Sequence, residues 1–346
     1  MSDWKECKLG DVAILNYGKG LPEHKRIQGD IPVFSSAGIT GWHNEALINN
    51  KGVIVGRKGT IGTVYYSEKP FFCIDTAYYI EPKEEKYNLK YLFYLLGTLN
   101  LKELNEDSAV PGLNRDTAYS QELLLPPLPE QRAIAGVLSI LDEKIELLHQ
   151  QNKTLEGMAE TLWRKMFVED ADPSWKKGKL GDLIELCYGK GLKGENRITG
   201  KYPVVGSSGI VGYHNDYLVK GPGIVIGRKG TLGVVNYIDE DFFPIDTTYF
   251  IKSKTNSGRL FFEYFLLKEF AFEDMNSDSA VPGLNRQIAE SMELSVPEIE
   301  NILEFNGLCE PLLLKKIKNN RQIHTLSRFR DTLLSKLMSG EVRIKS

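Results

Sequence analysis

The stretch Pro126-Pro127-Leu128-Pro129-Glu130-Gln131, with the residues that follow it to Phe167, decides how this chain is read. No further proline and no glycine cluster interrupts it. Its apolar residues fall at Ile134, Leu138, Leu141, Ile145, Leu148, Leu155, Ala159, Leu162 and Met166. The steps alternate between four and three, as in the seam of a coiled coil. One seam position is Asn152. Pro129 suits a first helical turn, where its missing N–H costs nothing. At ~1.5 Å per residue, about 38 residues make a helix of roughly 57 Å. A seam of that length predicts a partner helix.

The rest of the chain supplies one, because the chain is a single unit written twice. Leu9-Gly10-Asp11 returns as Leu180-Gly181-Asp182, and Tyr17-Gly18-Lys19-Gly20-Leu21 as Tyr188-Gly189-Lys190-Gly191-Leu192. Gly56-Arg57-Lys58-Gly59-Thr60 returns as Gly227-Arg228-Lys229-Gly230-Thr231, and Ile74-Asp75-Thr76 as Ile245-Asp246-Thr247. The run Ser108 to Arg115 returns unchanged as Ser279 to Arg286, and the offset is 171 throughout. A second helix is therefore expected over 299–338, with a seam from Ile302 and Phe305 to Leu333 and Leu337. Its middle is weakened by Lys316 and Asn319, and Pro311 is expected to kink its first half. Chain connectivity makes the two helices antiparallel if their seams meet, with Asn152 and Asn319 as candidate register-setting partners.

Each globular copy reads as short β-rich segments with one short helix, over 89–96 in the first copy and 261–267 in the second. The expected class is mixed α/β (α+β). Two similar globular domains, 1–125 and 173–296, are separated by a central helix over 126–172. A C-terminal helix and tail cover 297–346. A pseudo-twofold axis across the antiparallel pair is expected to relate the halves, each carrying a mostly antiparallel sheet.

Composition narrows the function. No apolar run reaches the ~20 residues that span a bilayer, and the N-terminal sequence is no signal peptide. The cysteines Cys7, Cys73, Cys187 and Cys309 form no metal-binding spacing, so a reducing cytoplasm is expected. The net charge of −3 does not advertise nucleic-acid binding, although a global count leaves a local basic face open. No phosphate-binding G-x-x-x-x-G-K-[ST] loop, Asn-Pro-Pro-aromatic motif or G-x-S-x-G elbow occurs, so neither catalytic nor metal-binding residues are expected.

Several motifs together carry a family resemblance. They are Pro-Pro-Leu-Pro-Glu-Gln-Arg-Ala-Ile-Ala (126–135), the two Gly-Arg-Lys-Gly-Thr turns, the Gly-Leu-Asn-Arg stretches (112–115 and 283–286) and Lys336-Leu337-Met338-Ser339-Gly340-Glu341-Val342. The chain resembles the specificity subunit of a type I restriction-modification system over nearly its whole length. It departs at the second helix, which opens Val296-Pro297-Glu298-Ile299-Glu300-Asn301 without the double proline and Glu-Gln. The resemblance implies a non-catalytic, cytoplasmic subunit with two target-recognition domains, each reading half of a split site in double-stranded DNA. It implies helices that set the spacer and dock two methyltransferase subunits, with restriction subunits joining where present. S-adenosylmethionine and adenine methylation would belong to the methyltransferase, and no cofactor to this chain.

Candidate DNA-contacting residues follow from residue chemistry. Arg57, Lys58, Arg228 and Lys229 lie on glycine-flanked turns suited to phosphates or guanine edges. Lys19 and Lys190 lie on similar turns. Ser35, Ser36, Ser207 and Ser208 are small donors that suit base edges or ordinary loops. Asn114, Arg115, Asn285 and Arg286 follow a Pro-Gly turn, and suit adenine and guanine readout or helix capping equally. His43 and His214 recur within Gly-aromatic-His-Asn and suit a structural turn, a DNA contact or, least, catalysis. Residues identical in both copies hold the fold, bind phosphate or read the same base. Residues that differ cluster at Glu23-His24-Lys25 against Gly194-Glu195-Asn196, and at Phe34, Ala37 and Trp42 against Val205, Ser208 and Tyr213. Two related, inverted half-sites are therefore expected. A two-headed adaptor for protein or glycan is the alternative.

Overall fold

A computed structural model describes residues 4–104, 112–255, 258–274 and 283–344. The chain forms two compact units, residues 1–146 with 323–346 and residues 147–322. The Ser-Ala-Val-Pro parts of the longest repeat, 108–111 and 279–282, lie outside the described residues.

In the first unit, strands Ala13–Tyr17, Ala77–Pro82, Gly52–Gly56 and Val64–Ser67 lie in that order in an antiparallel sheet. A three-stranded sheet orders Gly38–His43, Ile31–Ser35 and Phe72–Cys73, the last pair parallel. Lys5–Lys8 pairs with Glu122–Leu125. Three small sheets thus stand where one was expected, because strands of two to six residues, ended by turns, cannot extend a common ladder. The second unit repeats the arrangement at the same offset, from Ile184–Tyr188 through Gly223–Gly227 to Thr248–Ser253. The short helices run Leu89–Thr98 and Phe261–Glu269. Asn88 caps the first by accepting from the Tyr91 amide at 2.9 Å.

The first long helix spans Leu128–Arg164 and passes into a wider turn over Lys165–Glu169. The second spans Ile299–Met338, and Pro311 lies within it without ending it. Every seam residue expected on either helix is buried or half-buried. The seam does not face only the other helix, because the globular core uses it as well. Ile134, Leu138 and Leu337 join the core of the first unit, with Leu15, Val53 and Leu92. Ala159, Trp163, Ile302, Phe305 and Cys309 join that of the second, with Ile226 and Phe262. Each compact unit therefore takes part of both helices.

Polar seam positions find partners across the pair. Arg330 Nη1 meets Asp142 Oδ1 at 2.8 Å in the first unit. In the second, Lys316 Nζ donates to Glu156 Oε2 at 2.7 Å, and Lys268 and the Tyr264 hydroxyl donate to Glu156 Oε1. Asn152 does not pair with Asn319 as the repeat suggests. Its Nδ2 donates to Asn320 Oδ1 at 2.7 Å, and Asn319 Nδ2 donates to Gln151 Oε1 at 3.3 Å. Each amide reaches the residue next to its seam counterpart, so the pairing is displaced by one position. From Asn152 with Asn320 to Glu156 with Lys316, numbers rise on one helix and fall on the other, which is the antiparallel order.

Burial pushes the Glu156 carboxyl up, but Lys316 and Lys268 outweigh it and hold it at about 2. A carboxylate whose folded value is depressed stabilises the fold above its ordinary value, and loses that contribution as pH falls toward its folded one. Melting temperature should therefore fall between about pH 4.5 and 2 more steeply in the wild type than in Glu156→Gln. Parallel melting curves for the two would refute this role.

Candidate nucleic-acid interface

Segments far apart in the sequence converge on one cleft in the first unit. The cleft, about 360 Å³, is lined by Tyr17, Arg57, Lys58, Tyr78 and residues 112–116. The Tyr17-Gly18-Lys19 turn packs so closely on the Ile74-Asp75-Thr76 loop that a Cβ on Gly18 would lie 2.1 Å from the Ile74 carbonyl oxygen. The amides of Arg57 and Lys58 both donate to the Thr76 carbonyl, at 2.9 and 3.0 Å. The Leu113 amide donates to the Arg57 carbonyl at 2.8 Å, and the Tyr78 hydroxyl to the Leu113 carbonyl at 3.1 Å. Gly59 holds φ at +76°, a left-handed conformation that turns the chain directly after the two cations.

Tyr17 is 49% exposed and forms the floor. The Arg57 guanidinium carbon lies 5.0 Å from its ring centroid and that of Arg115 5.1 Å, so two cations share one aromatic face system. Tyr78 packs beneath, 5.1 Å from Tyr17 between centroids. Burial, reinforced by Tyr17, raises the Tyr78 hydroxyl's pKa, so it stays a donor to Leu113. The Nε atoms of Arg57 and Arg115 are buried without a hydrogen-bond partner. The terminal guanidinium nitrogens of cations held over an exposed ring suit a phosphate or a planar base edge.

The second unit builds the same arrangement. Arg228 lies 5.0 Å from the Tyr188 ring centroid and 5.6 Å from that of Tyr249. Its amide and that of Lys229 donate to the Thr247 carbonyl, and its Nη1 donates to the Asp246 carbonyl at 3.0 Å. Leu284 donates to the Arg228 carbonyl at 3.0 Å, and the Tyr249 hydroxyl to the Leu284 carbonyl at 3.0 Å. Lys58, Lys229, Lys19 and Lys190 are exposed around these clefts.

The other sequence candidates divide. Asn114 Oδ1 accepts from the Asp116 and Thr117 amides, and Asn285 Oδ1 from those of Gln287 and Ile288, so both asparagines cap short helices. His43 is buried, and its Nδ1 accepts from the Ile27 amide at 3.0 Å; its ring stands edge-on to Phe72. His214 repeats this with Ile198 and Phe243. Neither histidine lines the cleft. Ser35 is buried in its turn, accepting from the Ala37 amide and donating to the Gly38 carbonyl. The strand registers pair Ser35 with Gly38 and Gly206 with Gly209. Ser36 and Ser207 are therefore the counterparts, and Ser208 corresponds to Ala37. Ser36, buried, lies behind the basic turn: a Cβ on Gly59 would be 3.6 Å from its Oγ.

A model of the type I restriction modification DNA specificity domain matches residues 1–157 and 173–334. The chain belongs to this specificity family. A type I restriction enzyme MjaIX specificity subunit of Methanocaldococcus jannaschii is 25% identical over 339 residues, covering 85% of this chain and 78% of that one. The MjaVIII specificity subunit of the same organism is 23% identical, covering 99% and 94%. In fold, the crystal structure of a type I system S subunit from M. genitalium matches with a TM-score of 0.72 at 22% identity, covering 97% of this chain and 96% of that one. The chain is thus a specificity subunit with two tandem recognition domains, the non-catalytic kind of subunit in a type I system.

Within the two specificity domains, the sequence reading passed over Tyr17, Tyr188, Tyr78 and Tyr249, the aromatic supports of the arginines. The signal was present, because all four keep the repeat offset. The differing positions also separate. Phe34 and Val205 are buried core residues, whereas Trp42 and Tyr213 are about half exposed, on the same strands as the exposed Ile39 and Ile210. Glu23–Lys25 and Gly194–Asn196 are short turns without buried residues.

Proposed function

We propose that each specificity domain reads one half of a split site in double-stranded DNA. Its Tyr-Arg-Lys cleft holds the duplex, and the exposed residues that differ between copies discriminate bases. The observation that carries this reading is the cleft itself. Motifs repeated at a constant offset meet at one point in each unit, where they present a stacked arginine and an exposed lysine between glycines. Cations of this kind position a protein on phosphates, while base-edge contacts specify. Where Arg57 and Arg228 also reach a guanine edge they read the same base in both domains, so the half-sites should be related, inverted sequences.

In this reading the long helices act as spacer and dock two methyltransferase subunits. The partner carries S-adenosylmethionine and methylates adenine after taking the base out of the stack. Restriction subunits join where present, and the assembly works in the cytoplasm. Family membership disfavours the adaptor alternative. The test is modified-base sequencing of DNA from cells expressing this chain with its methyltransferase partner, beside cells lacking the chain. A split adenine-methylated motif that depends on the chain is expected. An unchanged methylome, with the partner shown to be bound, would refute the reading.

A further inference from the structure

The two clefts match in sequence motif but not in electrostatics. In the second unit the Arg286 Nε meets Glu290 Oε1 at 3.0 Å, and its Nη2 lies 3.6 Å from Glu185 Oε1. Glu290 Oε1 also accepts from the Leu186 amide at 2.8 Å, which anchors the carboxylate. At the same offset, the first unit has Ile14 in place of Glu185 and Tyr119 in place of Glu290. The Tyr119 hydroxyl takes over the strand bond, accepting from the Leu15 amide at 3.0 Å, and brings no charge. Arg115 meets no carboxylate within ion-pair distance among the described residues, and its Nε has no partner. Its cation lies instead on the rings of Tyr17 and Tyr119, at 5.1 and 6.0 Å. One acidic side chain does line the first cleft, Asp116, where the second unit has Gln287, but it forms no ion pair with Arg115.

We propose that Arg115 contacts a DNA phosphate while Arg286, held by Glu185 and Glu290, makes no such contact, so the two specificity domains grip the duplex unequally. This rests on the DNA-binding reading above. A phosphate reaching Arg286 must displace two carboxylates, one of them fixed to a strand. A phosphate reaching the half-buried Arg115 meets a guanidinium that lies over Tyr17 and Tyr119 and has no carboxylate to displace among the described residues. The first specificity domain, matched over residues 1–157, would then supply the larger share of sequence-independent affinity.

The experiment measures the salt dependence of full-chain binding to a mixed-sequence duplex by fluorescence anisotropy, with thermal melts to confirm folding. Each lost phosphate contact lowers the slope of log affinity against log salt by about 0.9, a roughly threefold smaller fall in affinity between 50 and 200 mM. Arg115→Gln is expected to lower the slope by that amount. The pair Glu185→Ile with Glu290→Tyr transplants the first cleft's residues and keeps a hydroxyl for the Leu186 amide. It is expected to raise the slope by the same amount, and adding Arg286→Gln to return it to the wild-type value. A folded Arg115→Gln chain with the wild-type slope would overturn the proposal. So would a triple variant that stays above wild type, which would mark a general charge effect. A wild-type chain with no salt-dependent binding would instead refute the DNA-binding reading and this inference with it.

Discussion

Replacing Glu130 with alanine should destabilise the first unit by about 3 kcal/mol, the scale for removing a buried carboxylate that accepts several hydrogen bonds, one of them from a buried indole. Glu130 is 5% exposed at the start of the first long helix. It accepts from the Trp4 indole at 2.9 Å and from Arg343 Nε and Nη2 at 3.0 and 2.7 Å. One carboxylate thus ties together residues near both ends of the chain. The adjacent Gln131 accepts from the Asn88 amide at 2.8 Å and donates to the Pro126 carbonyl at 2.9 Å. The Pro-Glu-Gln signature is therefore a fastening. The expected fall in melting temperature is roughly 10 °C. The hydrogen bonds from Arg343 hold the Glu130 carboxyl below its ordinary range. Its stabilisation is thus present above that range and fades as pH falls through its folded value, and Glu130→Gln should remove this pH dependence. A Glu130→Ala chain that melts within 2 °C of wild type would show that the fastening is not needed.

The double variant Arg57→Ala/Arg228→Ala should bind its recognised duplex about 100-fold more weakly, since each well-placed arginine contributes about 1–3 kcal/mol. Chain-dependent methylation should fall with it. The change should leave the melting temperature nearly unaltered, because both side chains are half-exposed and the turns are held by backbone bonds to Thr76 and Thr247. Lysine should not rescue, because it lacks the planar group that lies against Tyr17 and Tyr188. By contrast, Lys58→Ala/Lys229→Ala should weaken binding to all sequences about equally and lower the salt slope by about 2. Retention of wild-type affinity by the arginine variant would exclude the clefts as the DNA-binding site.

The duplication, both long helices and the specificity class were legible in the amino-acid order. Heptad steps from Ile134 to Met166 and a fixed offset of 171 are local or self-referential signals that need no knowledge of packing. The basic turns were legible too, because glycines beside adjacent cations restrict the chemistry on offer. Assigning roles to the remaining polar candidates was not. Asn114 suits a cap and an adenine contact equally until the Asp116 amide is found on its Oδ1. His43 reads as a turn residue first and a contact second, and its Nδ1 is found on the Ile27 amide.

The sequence by itself thus determined the repeat, the helix bounds of 299–338 and the family, since each rests on periodicity or motif identity along the chain. Only the tertiary structure decided three things. It brought Tyr17, Arg57 and Arg115 together across almost a hundred residues. It displaced the Asn152 pairing to Asn320. It separated Arg115 from Arg286, which sit in identical motifs. The physical reason is common to all three: an arginine's charge and an amide's partner are set by groups brought up from other elements. Glu185 and Glu290 against Ile14 and Tyr119 make that difference here, and the arginine's own motif contains no trace of it.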